Sequence, residues 1–362
     1  MKGYKFLTVL LVVAMVVSVA SCAPKATPTP KPTVAPTAAP TAPPAKKLKI
    51  GWVLHVPVAF TDRIKAGAVQ AGKEYGVEVE VVAPSKYDPE AAISLFEGFV
   101  AKKVDGLAVV PQPGETWVKP INAAMDAGIP VMTANVTALE SKAPAWFGQD
   151  EYNSGRILAQ ELLKILQKKG ITKGKIVVGG CVPGIKVLTD RYDGFMEVMK
   201  AYPDFKVSQF YDVTSEVGTN YSAWESLYGA NPDMTVAVGL CSIDIPNLAK
   251  LKQKTGAKFL VAGYDLNADT LDAIKAGLAE VTVGQNPYLQ GYLPVRALVE
   301  HLRDGKPLVK GWVNVGTEAV TAENVESVYR RETDPAYEAE WYKKHIADNF
   351  KDLNALAGPM PR

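Results

Sequence analysis

The chain has 362 residues, with 40 Lys and Arg against 38 Asp and Glu, three histidines and three cysteines. Its length exceeds one typical domain and suits two lobes of about 150 residues each. The near-neutral charge gives no basic excess for nucleic acid, and neither C-x-x-C nor H-E-x-x-H spacing occurs for zinc.

The N-terminus reads as a secretory leader. Lys2 and Lys5 precede an apolar run from Phe6 to Val19, and Ala20 and Ser21 stand just before Cys22. A cysteine directly after the small residues predicts bacterial lipoprotein processing, with residues 1–21 removed as signal peptide and lipid on Cys22. An ordinary signal peptide with an incidental cysteine is the alternative. Loss of Lys2 and Lys5 leaves 38 basic against 38 acidic groups. Residues 22–45, CAPKATPTPKPTVAPTAAPTAPPA, show no apolar periodicity and cannot form a core. Proline this dense favours extended polyproline II, a semi-rigid spacer of about 3.1 Å per residue. The expectation is an extracytoplasmic domain tethered to the membrane by lipid, in the periplasm or on the cell surface. No later stretch is apolar for long enough to cross a bilayer.

From residue 46 onward, strand-like and helix-like segments alternate. LKIGWVL (48–54) is a short apolar run, hence a buried strand. Thr61 to Tyr75 carries Ile64, Ala68 and Ala71 at helical spacing, with Gly76 as its stop. VEVEVVA (77–83) is a second strand, and Asp88 with Pro89 starts a helix to Lys102. DGLAVVP (105–111), a helix from Glu115 to Ala127 and IPVMTAN (129–135) complete a first set. A helix over 152–168 opens a second. Its strands are expected at 175–180, 205–211, 234–240, 258–264 and 279–285, with helices near 188–201, 217–229, 244–253 and 267–276. A long helix over 288–303 follows. Two runs of βα units predict an α/β protein of two doubly wound parallel-sheet lobes. Neither a G-x-x-x-x-G-K-[ST] loop nor a G-x-S-x-G elbow occurs, and neither catalysis nor a cofactor is expected.

Several segments carry a family resemblance. They are VDGLAVVPQPGETWVKPINAAMDAGIPVMTAN (104–135), FGQDEYNSGR (147–156), RYDGF (191–195), VAGYD (261–265) and VGQNPYLQGY (283–292). In order and spacing the chain from Lys49 to about Val320 resembles the type I periplasmic solute-binding proteins of the ribose- and galactose-type family. The resemblance implies a three-strand hinge, with crossings near Gln149–Asp150, Gln285–Asn286 and Gly311–Val313. The N-terminal lobe would then be 46–149 plus 286–311, and the C-terminal lobe and tail 150–285 plus 312–362. It implies a monomer that closes on a small polar ligand, a monosaccharide or polyol, and delivers it to an ABC permease and ATPase. A nucleoside or signalling-molecule receptor on the same scaffold, or a sensory protein for a chemoreceptor or kinase, are the alternatives.

A sugar presents hydroxyls and an apolar ring face, so its site needs forked hydrogen-bonders and flat aromatic surface. The resemblance assigns ligand contact to Arg191, Asp265 and Gln285. Arg191 also reads as a solvated helix arginine, Asp265 as a helix cap and Gln285 as a purely structural hinge amide. Asn135 stands where pentose binders carry an Asp-Arg pair, which removes one charged fork. Phe60 occupies a ring-stacking position or belongs to the core. Ser242 stands where an asparagine often contacts ligand. Trp117, Trp146, Tyr288 and His55 are secondary candidates, and Trp52 reads as core. His301 and His345, among charged residues, read as solvated. Cys181 and Cys241 follow strands expected to be neighbours. They form a disulfide or remain two small residues at the cleft.

Overall fold

The structure, a computed structural model, describes residues 47–182 and 184–361. The leader, Cys22 and the proline-rich segment lie outside them. Two six-stranded sheets organise the described chain.

The first sheet is built by β1 (Lys49–Val53), β2 (Glu78–Val82), β3 (Gly106–Val109), β4 (Val131–Ala134) and β5 (Ala145–Gly148), with α1 (Ala59–Tyr75), α2 (Pro89–Ala101) and α3 (Val118–Asp126) between strands. It is parallel throughout, in the order β11-β5-β4-β3-β1-β2, once β11 (Gly311–Asn314) is added. Successive strand side chains face opposite ways, so Ile50 and Trp52 enter one apolar layer and Val53 the other. Both faces of the inner strands are covered, which is why β1, β3 and β4 read as apolar runs, whereas the edge strand β2 alternates Glu and Val and is half-exposed. Asp88 caps α2 by accepting a bond from Ala91 N at 3.0 Å, and Pro89 sits in the first turn, where no amide is needed. The helix expected over 115–127 is a 3-10 turn at Gly114–Trp117 followed by α3.

The second sheet follows the same plan, in the order β12-β10-β9-β8-β6-β7. Its strands are β6 (Gly174–Gly180), β7 (Phe205–Asp212), β8 (Met234–Gly239), β9 (Leu260–Tyr264), β10 (Val281–Gly284) and β12 (Glu318–Thr321). Its helices are α4 (Glu151–Lys168), α5 (Lys186–Met199), α6 (Val217–Ala230), α7 (Asp244–Thr255) and α8 (Ala268–Lys275). All pairings are parallel except β10 with β12.

Each lobe packs one helix pair unusually closely. Helix α9 (Pro287–Leu302) lies on α1, where a Cβ on Gly67 would collide with the Tyr288 carbonyl and one on Gly291 with that of Ile64. In the second lobe a Cβ on Gly155 of α4 would collide with the Arg191 carbonyl, and one on Gly194 of α5 with that of Tyr152. Only glycine permits such an approach.

Two boundaries differ from expectation. The third crossing does not fall at Gly311–Val313. β11 pairs with β5 in the first sheet, Val313 and Val315 are buried in the first lobe's core, and Trp312 stacks on Trp146 with centroids 6.0 Å apart. The chain therefore changes lobe between Val315 and Thr317, at Gly316, whose φ is 88°. The tail also divides. Helix α10 (Val325–Thr333) packs on the second lobe through Val325 and Val328, whereas α11 (Pro335–Asn349) and α12 (Leu353–Leu356) bury Tyr342, Ile346, Phe350 and Leu353 in the first lobe's core. Apolar residues four apart, Tyr342 and Ile346, place one stripe of α11 on that core.

Candidate functional site

The carboxyl ends of the two sheets, where α/β proteins of this design bind ligands, hold most of the residues singled out. Asn135 follows β4, Asp265 follows β9 and Asn286 follows β10; all three have left-handed backbone, with φ of 61°, 73° and 48°. Asn and Asp tolerate that region better than other residues with a Cβ. Strained backbone of this kind clusters where a site needs a side chain re-aimed.

A hydrogen-bonded series runs from lobe to lobe. Asn135 Nδ2 donates to Gln285 Oε1 at 3.0 Å, and Gln285 Nε2 donates to Asp265 Oδ1 at 2.7 Å. Gln285 itself sits at the second crossing, its carbonyl held by Gln290 Nε2 at 2.7 Å. Trp146 Nε1 donates to the Asn135 carbonyl at 3.1 Å, so this tryptophan, 6 % exposed, positions Asn135 from behind. Burial pushes the Asp265 carboxyl up, and the Arg191 charge and the Gln285 amide partly offset that.

Arg191, on α5, is 3 % exposed and is not a solvated helix arginine. Its Nε bonds Glu151 Oε2 at 2.7 Å, its Nη1 bonds the Leu240 carbonyl at 2.8 Å, and its guanidinium lies 4.0 Å over the Tyr264 ring. Burial works against the charge, yet Glu151 holds the guanidinium's pKa above its ordinary value. Sequence reasoning missed Glu151. It opens α4 beside the first crossing, and its only prior signal was an acidic residue in a helix's first turn. Glu151 also accepts from Gln149 Nε2 at 2.8 Å, and Thr317 Oγ1 donates to Gln149 Oε1 at 2.9 Å. The arginine is thereby tied to the first and third crossings.

Ser242 is half-buried on the turn after β8. Beside it, Cys181 and Cys241 form a disulfide with Cα atoms 6.0 Å apart, the pairing that neighbouring β6 and β8 allow. Asp244 steadies the same turn: it accepts from Cys241 N at 2.8 Å, Asn220 Nδ2 at 2.8 Å and Trp224 Nε1 at 3.0 Å. Its burial raises the carboxyl to about 6, against the pull of those donors.

Phe60 is half-buried against the first lobe's core and, with Asp265, lines a cavity of about 120 Å³. Arg63, Leu266, Pro287 and Glu332 share that wall, whereas Arg191, Gln285, Asn135 and Ser242 do not. The structure thus brings Asn135, Gln285 and Asp265 into one chain of bonds, sets Arg191 in a buried ion pair, and places Phe60 and Asp265 on the wall of one small cavity. His55, after β1, has an enclosed Nδ1 without a partner, and burial lowers its pKa to about 4. Trp117 and Trp52 are fully buried core, and Tyr288 stacks on Tyr342 at 4.0 Å. His345 is half-buried and stacks on Trp341 at 4.6 Å. His301 is half-buried, its Nδ1 2.8 Å from the Lys306 carbonyl. Among the described residues no cluster of His, Cys, Asp and Glu could hold a metal ion, and no helix is long and apolar enough to cross a membrane.

Proteins similar to this chain in sequence and fold are named as sugar- or solute-binding proteins. The chain is 24 % identical over 247 residues to the ribose import binding protein of Bacillus subtilis, covering 68 % of this chain and 78 % of that one. It is 23 % identical over 257 residues to the xylose/arabinose-binding protein of Sulfolobus acidocaldarius, covering 66 % of this chain and 62 % of the archaeal one. A carbohydrate transporter solute-binding protein from Agrobacterium radiobacter, solved with D-arabinose, superposes with a TM-score of 0.72 at 26 % identity, over 82 % of this chain and 99 % of that chain. The periplasmic binding protein domain matches residues 50–307, and with two parallel-sheet lobes joined through the crossings described above the chain belongs to the periplasmic binding protein family, in its type I fold.

Proposed function

We propose that this protein captures a monosaccharide or polyol between its lobes and delivers it to an ABC importer. The observation that carries this reading is the Asn135–Gln285–Asp265 series beside the Arg191–Glu151 pair. It gathers amide, carboxylate and guanidinium groups at the mouths of both sheets, the donors and acceptors that ring hydroxyls require. Phe60 supplies apolar surface in the cavity that Asp265 also lines. The names of the relatives, which bind ribose, xylose and arabinose, support the same ligand class. Arg191, Asp265, Gln285, Asn135, Phe60 and Ser242 are the ligand contacts in this reading, and no bond is made or broken in the ligand. The protein acts as a monomer outside the cytoplasm, anchored through lipid on Cys22, with the proline-rich segment as spacer.

The test is a thermal-shift panel of D-ribose, D-xylose, D-arabinose, myo-inositol, adenosine and the common amino acids. A ligand present at 100 times its Kd adds about 2.7 kcal/mol to stability. A shift with a pentose or with the polyol is expected. A shift with adenosine or an amino acid alone, or with none of the panel, overturns the sugar reading.

A further inference from the structure

The lobes carry a fourth connection that the hinge strands do not account for. Helix α10 belongs to the second lobe: Val325 and Val328 enter its core, Lys275 of α8 sits 3.8 Å over the Tyr329 ring, and Arg331 Nη2 bonds Glu318 of β12 at 2.7 Å. Helix α11 belongs to the first: Tyr342 stacks on Tyr288, and Arg296 of α9 donates to the carbonyls of Phe350 and Lys351. Only Asp334 separates the two helices. Its side chain accepts from Ala336 N and Tyr337 N at 3.1 Å, with Pro335 opening α11. The cap and the proline fix the direction in which α11 leaves this one-residue elbow.

Arg63 of α1 sits where this elbow meets the cleft. Its Nη2 bonds Glu332 of α10, from the other lobe, at 2.8 Å, and also bonds Glu338 of α11, within its own lobe. Arg63 and Glu332 stand together on the wall of the cavity that Phe60 and Asp265 line. Glu332 is well shielded, its side chain 6 % exposed, so solvent screens this pair less than a surface pair. Arg331 adds a second contact between α10 and α11, lying 4.5 Å over the Trp341 ring while its Nε bonds Glu332 at 2.8 Å. The segment lies beyond residues 50–307, the stretch matched to the family.

We propose that α10 and α11 form a clasp across the lobes and that the Arg63–Glu332 pair is its latch, holding the cleft toward closure before any solute enters. Opening the lobes separates α1 from α10 and breaks this pair, while the Arg63–Glu338 pair rides unchanged with the first lobe. A closed arrangement favoured in the free protein raises the population ready to bind.

The test uses electron–electron distance measurement in the full chain without ligand, so it does not depend on which solute the cleft takes. Spin labels go on Lys119→Cys in α3 and Ser226→Cys in α6, both exposed, in a Cys22→Ser background. Glu332→Gln should raise the population at longer separation several-fold, and Arg63→Met should do the same. Glu338→Gln should leave the distribution as in the parent. A Glu332→Gln distribution superimposable on the parent overturns the clasp, and so does an equal shift with Glu338→Gln.

Discussion

The two lobes share a plan and differ at their mouths. Each is a six-stranded sheet with both faces covered, and each closes one helix pair through a pair of glycines, Gly67 and Gly291 in the first, Gly155 and Gly194 in the second. The first lobe presents Phe60, the Asn135 amide and a histidine whose pKa burial lowers to about 4. The second presents Arg191, Glu151 and Asp265, with Asp244 and a disulfide beneath them. At the ends of the strands charge therefore resides in the second lobe and flat apolar and neutral surface in the first, whose one charge on the cavity wall, Arg63, comes from α1. In a closing protein this division lets one half orient a ligand by charge-assisted bonds while the other excludes water. It also concentrates the cost of burial in the second lobe, where a charge stranded without its partner is expensive.

The comparison breaks most sharply at Arg191. Arg191→Ala leaves Glu151 buried with no cation, and removing one partner of such a pair costs about 3–5 kcal/mol of folding stability. Asn135→Ala, in the neutral lobe, removes one amide bond and should cost about 1–2 kcal/mol. Denaturant unfolding of the two variants measures the contrast; equal losses would mean that the lobes are not divided by charge. In binding, Asp265→Ala should weaken the ligand identified from the panel by about 2–5 kcal/mol, and Gln285→Ala by about 1–3 kcal/mol. Parent-like affinity by calorimetry in both would mean that the ligand sits elsewhere.

A smaller effect is expected at the disulfide, the second lobe's other device. It closes a loop of sequence separation 60 and flanks Leu240, whose carbonyl holds Arg191. Cys181→Ser with Cys241→Ser should lower stability by about 2–4 kcal/mol. The loss should fall on the second lobe, with faster amide exchange at residues 240–244 than around Asn135. Thiol titration of unfolded, unreduced protein checks the bond itself: two free thiols in the body would exclude it.

Much of the fold could be read from periodicity, and the reasons for the gaps are local. Apolar runs between Gly, Pro and Asp marked β1, β3, β4, β6 and β8 to β10, because strands buried on both faces need apolar residues at nearly every position, whereas the edge strands β2 and β7 mix apolar and polar residues. The third crossing falls later than the resemblance implies because Trp312, Val313 and Val315 suit any half-buried strand, and nothing in them names β5 as partner. The tail, expected whole on the second lobe, divides between the lobes for a related reason. Tyr342 and Ile346 announce an amphipathic helix, but which lobe it covers depends on the elbow at Asp334. At the site, side chains that end strands could be anticipated at Asn135, Asp265 and Gln285. Glu151 could not, since its role depends on α4 and α5 approaching at Gly155 and Gly194.

The mildest test falls in the first lobe, at His55. Its ring is half-buried, its Nδ1 is enclosed, and burial lowers its pKa from 6.5 to about 4. The unfolded chain takes up a proton below its own pKa of 6.5 while the folded chain resists until about 4. Stability is therefore lost as pH falls through that window and is fully present above it. One pKa unit corresponds to about 1.4 kcal/mol, and partial exposure of the ring reduces the full value, so about 1–2 kcal/mol is expected between pH 7 and pH 4. Asp244 acts in the opposite sense, since its raised carboxyl, at about 6, destabilises the fold when ionised and is relieved on acidification. The parent alone thus reports a partial cancellation. His55→Gln keeps a polar side chain of similar size and removes only the histidine's share. The difference in stability between parent and His55→Gln should change by about 1–2 kcal/mol from pH 7 to pH 4. A difference that stays flat across that range would mean that His55 takes up its proton in the folded protein as readily as in water.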